Sequence, residues 1–158
     1  MAPPRFVADE MVGRLARYLR FVGCDTIYAR GWPDDEILRV ARDDQRILLT
    51  RDRALARRSE HALLLTNVGI ADQWKAVRAA LPSVPDEIAF VRCTECNGEI
   101  VPYVPGAHDP RHEGVPWERV ANGLPLYRCR ACGHLYWEGS HTAHLRTQLA
   151  RWTAESSP

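Results

Sequence analysis

Along the first half of the chain, short apolar runs alternate with stretches in which apolar residues recur every three or four positions. Phe6 and Val7 centre a strand predicted over residues 5–8. From residue 10 to 22, Met11, Val12, Leu15, Ala16, Leu19 and Val22 fall on one helical face, and Gly23 stops the helix. Residues 26–28 give a second strand, and the Gly31-Trp32-Pro33 turn leads into a helix over 35–44 with Ile37, Leu38 and Ala41 on one side. The Ile47-Leu48-Leu49 run reads as a third strand over 46–50 buried on both faces. A short helix over 52–58, a strand over 62–65 and a helix over 70–81 complete the series.

Four strand–helix units in succession imply an open parallel sheet with helices on both faces, because parallel strands need crossovers. Pro82, Ser83, Pro85 and Asp86 then form a linker, the natural boundary between residues 1–86 and 87–158. Beyond it the pattern turns β-rich. Strands are expected over 87–92, 99–104, 125–129 and 134–138, a loop over 105–123, and a closing helix over 142–152.

Composition changes this picture little. The 158 residues are 46% hydrophobic and 26% charged with a net charge of +1, an ordinary globular balance without a global basic field. Lys75 is the only lysine. The arginine preference fits codon usage in a GC-rich genome, and it also fits phosphate-gripping guanidiniums. No stretch is apolar enough to span a bilayer and no signal-peptide core opens the sequence, so a cytoplasmic location is expected. In that reducing compartment paired cysteines read as metal ligands before they read as disulfides.

Cys93–Cys96 and Cys129–Cys132 form two C-x-x-C pairs separated by 32 residues. Each pair can turn two thiolates toward one ion, and together they complete a tetrahedral structural zinc site in a small ribbon. Gly98 and Gly133 are positioned to permit the positive φ that such turns use. His108 and His112 offer a two-Cys, two-His alternative, but Pro105, Gly106 and Pro110 oppose the helix it needs, and it would orphan Cys129 and Cys132. Cys24 stands alone as a core residue.

In a parallel sheet, groups just beyond the C-terminal ends of the strands converge on one rim. Asp9 follows the first strand, Asp34 and Asp35 the second, and Asp52 the third. Each is also a helix N-terminus, where aspartate is a preferred cap worth about 1 kcal/mol. Acids from three loops on one rim repel unless a cation is bound, and hard oxygen ligands suit Mg²⁺ or Mn²⁺. Arg14 and Arg17 lie along the first helix and Arg51 and Arg53 flank Asp52, as a phosphodiester substrate would require. Arg20 is read as part of a solvated helix face.

The stretch Phe6-Val7-Ala8-Asp9-Glu10-Met11, followed by Gly13-Arg14-Leu15-Ala16-Arg17, resembles the opening motif of the Mut-seven C-terminal RNase domain family. Residues Arg46 to Asp52 resemble its second hallmark, and Tyr127 to His141 are similar to the zinc ribbon fused to it. The resemblance implies a PIN-like fold and a metal-dependent ribonuclease, with Asp9, Asp52 and Asp34 (in uncertain register with Asp35) as catalytic acids. Asp72 is a candidate fourth acid.

The resulting expectation is an endoribonuclease in which Asp9, Asp34 and Asp52 hold Mg²⁺ or Mn²⁺. Thr50 orients water or phosphate, Arg14, Arg17 and Arg51 bind the RNA backbone, and the ribbon contributes stability or RNA contacts. Tyr136, Trp137, His141 and His144 either offer stacking surfaces or pack the ribbon's own core. A non-catalytic RNA-binding or adaptor protein on the same fold is the alternative.

Overall fold

The computed structural model describes residues 2–106 and 114–155. Strands β1 (Phe6–Asp9), β2 (Thr26–Ala29), β3 (Ile47–Thr50) and β4 (Ala62–Leu64) form one parallel sheet in the order β2-β1-β3-β4. Between and after them run helices α1 (Gly13–Phe21), α2 (Asp34–Asp43), α3 (Arg53–Arg57) and α4 (Ile70–Ala80). The expected first helix is split, since Glu10–Val12 form a tight 3-10 turn before α1 begins.

Strand alternation assigns the helices to the two faces. Phe6, Ala8 and Leu49 pack with α1 and α4, whereas Val7 and Leu48 pack with Ile37 and Ala41 of α2 and Leu55 of α3. The step from β1 to β2 runs one way across the sheet with α1 on one face. The steps to β3 and β4 run the other way with α2 and α3 on the opposite face, as right-handed crossovers require. β1 and β3 are therefore neighbours whose connections leave for opposite faces. The crevice at their C-terminal ends is the topological switch point, where open parallel sheets place their sites.

A second, antiparallel sheet joins β5 (Ile100–Tyr103), β6 (Leu126–Cys129) and β7 (Leu135–Tyr136). The strand expected over 87–92 is reduced to a single bridge between Arg92 and Glu99. The segment runs along α1 instead, with the Ala89 N–H bonded to the Phe21 carbonyl at 2.9 Å and Ile88 packed against the main core. Within the expected loop, α5 (Trp117–Ala121) forms after Pro116. Residues 107–113, including His108 and His112, lie outside the described residues.

Helix α6 (Ser140–Ala154) packs back onto the parallel sheet's own core. Leu145, Leu149 and Trp152 join Tyr18 of α1 and Trp74 and Val77 of α4 in one cluster. The Tyr18 hydroxyl donates to Gln148 at 2.9 Å, and Lys75 pairs with Glu155 at 2.6 Å. A chain break after residue 86 would strip this helix from the core. Among the described residues no helix is long and apolar enough to cross a membrane.

Candidate metal centre and acidic rim

The four cysteines converge. Their sulfurs all lie within 4.8 Å of one another, with Cys93–Cys132 at 3.7 Å and Cys96–Cys129 at 3.5 Å. A tetrahedron of thiolates at zinc bond lengths has sulfurs about 3.8 Å apart, whereas a disulfide needs about 2.05 Å. The cluster can hold zinc, and four thiolates leave no open position for chemistry.

Local backbone shapes the cage. A Cβ on Gly98 would sit 2.9 Å from the Cys129 sulfur and 3.2 Å from that of Cys96, so only glycine leaves the cage free. Positive φ falls on Gly133 (79°) as expected, but in the first knuckle it falls on Asn97 (68°) and not on Gly98. Burial opposes ionisation of Cys129. Backbone N–H groups of Cys132 and Ala131, with the neighbouring thiols, outweigh it and lower that thiol to about 7. The Tyr136 hydroxyl lies 3.0 Å from the Cys93 sulfur and accepts the Thr94 N–H at 3.0 Å. Tyr136 thus supports the cage and packs the ribbon core.

The first knuckle is pinned to the N-terminal edge of the parallel sheet. Asn97 accepts the Thr26 N–H at 2.9 Å and donates to Asp25 at 2.7 Å. Asp25 also takes a two-pronged pair from buried Arg46, at 2.8 and 3.1 Å. Burial works against its charge, but Arg46 and Asn97 outweigh it and hold the carboxyl at about 2. Arg20 is not solvated. It is buried and donates to the carbonyls of Thr26 (2.9 Å), Thr94 (3.0 Å) and Glu95 (3.4 Å), tying α1 to the knuckle. The sequence pattern missed this set because each partnership joins residues far apart in the chain. Cys24 is buried beside it, and burial, then Asp25, pushes its thiol up to about 12, the behaviour of an inert core residue.

The acidic rim lies at the other end of the strands. Asp9 ends β1 and is only 6% exposed. One oxygen accepts the Met11 N–H at 2.8 Å and the other accepts the Thr50 hydroxyl. Thr50 in turn accepts the Asp52 N–H at 2.9 Å, so its hydroxyl bridges the two aspartates across β1 and β3. Asp52 is exposed, and one of its oxygens caps α3 through Ala54 and Leu55 at 2.8 and 3.1 Å.

Asp34 and Asp35 open α2 but are engaged by Arg58, at 3.8 and 2.5 Å. The acid that reaches from the end of β1 to the loop after β2 is Glu10, which accepts the Gly31 N–H at 3.3 Å. Its only sequence signal is its place beside Asp9. The backbone there is held by Tyr28, whose hydroxyl donates to the Glu10 carbonyl at 2.8 Å. Gly13 is required beneath that ring, because a Cβ would meet it at 2.7 Å.

Among the described residues, Asp9, Asp34 and Asp52 do not gather within ligand distance as the cysteines do. Arg14 is exposed on α1, Arg51 is half-buried beside Thr50, and Asp72 is exposed on α4. Arg17 faces the ribbon, pairing with Glu95 at 3.3 Å.

A parallel α/β sheet with acids at its switch point and a four-cysteine ribbon docked on its opposite edge define an α/β protein with an appendage able to hold a metal. The chain belongs to the Mut7-C RNase domain family, whose model matches residues 4–149. None of the curated proteins and none of the solved structures compared with it matches. Membership points to a ribonuclease-like hydrolase acting on RNA.

Proposed function

We propose that the protein is a metal-dependent endoribonuclease whose centre is the Asp9–Thr50–Asp52 bridge, with zinc held structurally by Cys93, Cys96, Cys129 and Cys132. The observation that carries this reading is a buried carboxylate, Asp9, held by a hydroxyl that itself accepts the backbone N–H of the exposed Asp52 at the topological switch point. The donor set fits a hard divalent cation, because it is all oxygen: each Asp9 oxygen makes one bond and keeps a second lone-pair site, and both cap bonds of Asp52 fall on one oxygen, leaving the other for a cation. Asp9 and Asp52 would hold Mg²⁺ or Mn²⁺. Asp34 would join them once released from Arg58.

When bound, such a cation supplies an activated water and stabilises the leaving oxygen. The chain's own residues do the rest. Thr50 fixes the orientation of the Asp9 carboxylate by donating to it and is itself fixed by the Asp52 N–H. Arg14 and Arg51 bind phosphate beside the rim. Exposure of Asp52 and Asp34 supports internal cleavage, since a strand can lie across an open rim without threading an end. The cytoplasm is the proposed compartment, in keeping with free thiols used as ligands.

A second reading has its own support. Both Asp9 and Asp52 accept backbone N–H groups as caps, which is what they would do in a non-catalytic RNA-binding protein. End-labelled single-stranded RNA incubated with and without Mg²⁺ or Mn²⁺ separates the two. Internal products appearing only with the cation are expected. A ladder of terminal nucleotides would make the enzyme exonucleolytic, and uncut RNA would leave the binding reading.

A further inference from the structure

Between α1, the 88–92 segment, the ribbon and the start of α6 lies a cavity of about 340 Å³. Phe21, Phe90, Tyr136 and Trp137 supply aromatic wall, and Arg17 and Arg92 supply charge. No carboxylate lines it among the described residues. We propose that this cavity binds one unpaired nucleobase of a single-stranded RNA together with its adjoining phosphate. This deepens the ribonuclease reading and rests on it for the substrate class.

Size, chemistry and position each narrow the occupant. The volume is at the small end of the range for ligand cavities, roughly 300–1,000 Å³, so it takes a nucleoside-sized group and not a folded partner. Aromatic faces bind bases by stacking, which a base inside a duplex cannot offer. The Phe90 ring is already stacked on Tyr127, with centroids 4.7 Å apart and planes within 1°, a rigid platform of the kind stacking needs.

The charges favour an anion. Arg17 and Arg92 are joined by His134 and His141. Arg17 lies over the Phe21 ring, 5.8 Å from its centre, and pairs with Glu95 in a half-exposed contact of the sort worth little, so it can turn to phosphate beside the aromatic wall. Glu138, the acid next to Trp137, is neutralised by Arg146.

Position links the cavity to the rim. Arg14 and Arg17 are exposed one turn apart on α1. Along the helix axis Phe21 lies about 12 Å beyond Gly13, at about 1.5 Å per residue. An RNA strand crossing the acids at Asp9 and following this arginine stripe reaches the cavity a few nucleotides away. The ribbon then reads the strand at a distance from the cut.

The test is fluorescence anisotropy of a short labelled single-stranded RNA with the zinc-loaded full-length chain, without Mg²⁺ or Mn²⁺, so that nothing is cut. Ser140→Trp plugs the mouth from an exposed position, Arg17→Ala removes a charge at an exposed position, and Trp137→Ala removes a wall. Ser140→Trp and Trp137→Ala should each weaken binding about tenfold, as loss of one stacked base does. Trp137→Phe should restore most of it, and duplex RNA of the same sequence should bind more weakly than the single strand. Arg17→Ala should lower the salt dependence of binding by about one ion. Wild-type affinity in both Ser140→Trp and Arg17→Ala, two exposed positions with little bearing on folding, would overturn the cavity. Because cleavage is not read, this result is independent of whether the rim is catalytic.

Discussion

At the scale of single residues, the two rim aspartates differ in what an amide can replace. In Asp52→Asn the amide oxygen still caps Ala54 and Leu55, so thermal stability should be unchanged within about 0.5 kcal/mol. In Asp9→Asn the buried Thr50 hydroxyl loses its acceptor, and a loss of about 1 kcal/mol is expected by urea denaturation. Equal losses in the two variants would show that the bridge through Thr50 is not formed.

Asp25 gives a pH-dependent counterpart at the other edge. Removing its charge leaves Arg46, 6% exposed, with only the more distant and half-exposed carboxylate of Asp44 at 3.6 Å. Asp25→Asn should therefore cost about 2–3 kcal/mol at pH 7. The folded carboxyl is depressed from its ordinary 3.8 to about 2, so its contribution is complete above pH ~4 and lost as pH falls toward 2. The gap between wild type and variant should close over that window. A gap independent of pH would mean the pair does not stabilise through charge.

At the scale of elements, α6 decides where the first core ends. Its apolar positions Leu145, Leu149 and Trp152 have helical spacing, and the helix was legible in the sequence. Its destination was not, since periodicity reports that a face is buried and not against what. Leu149→Ala should destabilise the α/β core by about 3 kcal/mol, read by denaturation of the full chain. No effect beyond that on the ribbon's own metal affinity is expected, and a change confined to that affinity would contradict the packing described.

The convergence of the four cysteines and the placement of Asp9 and Asp52 at strand ends were readable because each is a short-range pattern with a strong chemical meaning. Arg20, Asp25 and Asn97 were not. A buried guanidinium on α1 and an αL asparagine in a knuckle look like surface residues until the fold brings them together. The strand expected over 87–92 failed for the same reason, its Ala89 N–H being taken by the end of α1.

At the scale of the whole molecule, the sheet separates two chemistries. The cysteine cage docks at the N-terminal ends of the strands, and the acids stand at the C-terminal ends. The cage can therefore affect the rim only through the fold, and the proposed RNA path along α1 would join the two ends. In the proposed reaction Asp9 and Asp52 act together on a divalent cation. The most direct measurement is the rate of Mn²⁺-dependent cleavage of single-stranded RNA by zinc-loaded wild type, Asp9→Asn, Asp52→Asn and the double variant. Each single change should lower the rate by about a hundredfold or more. The double variant should be no slower than the worse single one, because a broken centre cannot be broken twice. Wild-type cleavage by Asp52→Asn, or no cleavage by the wild type with either Mn²⁺ or Mg²⁺, would contradict it.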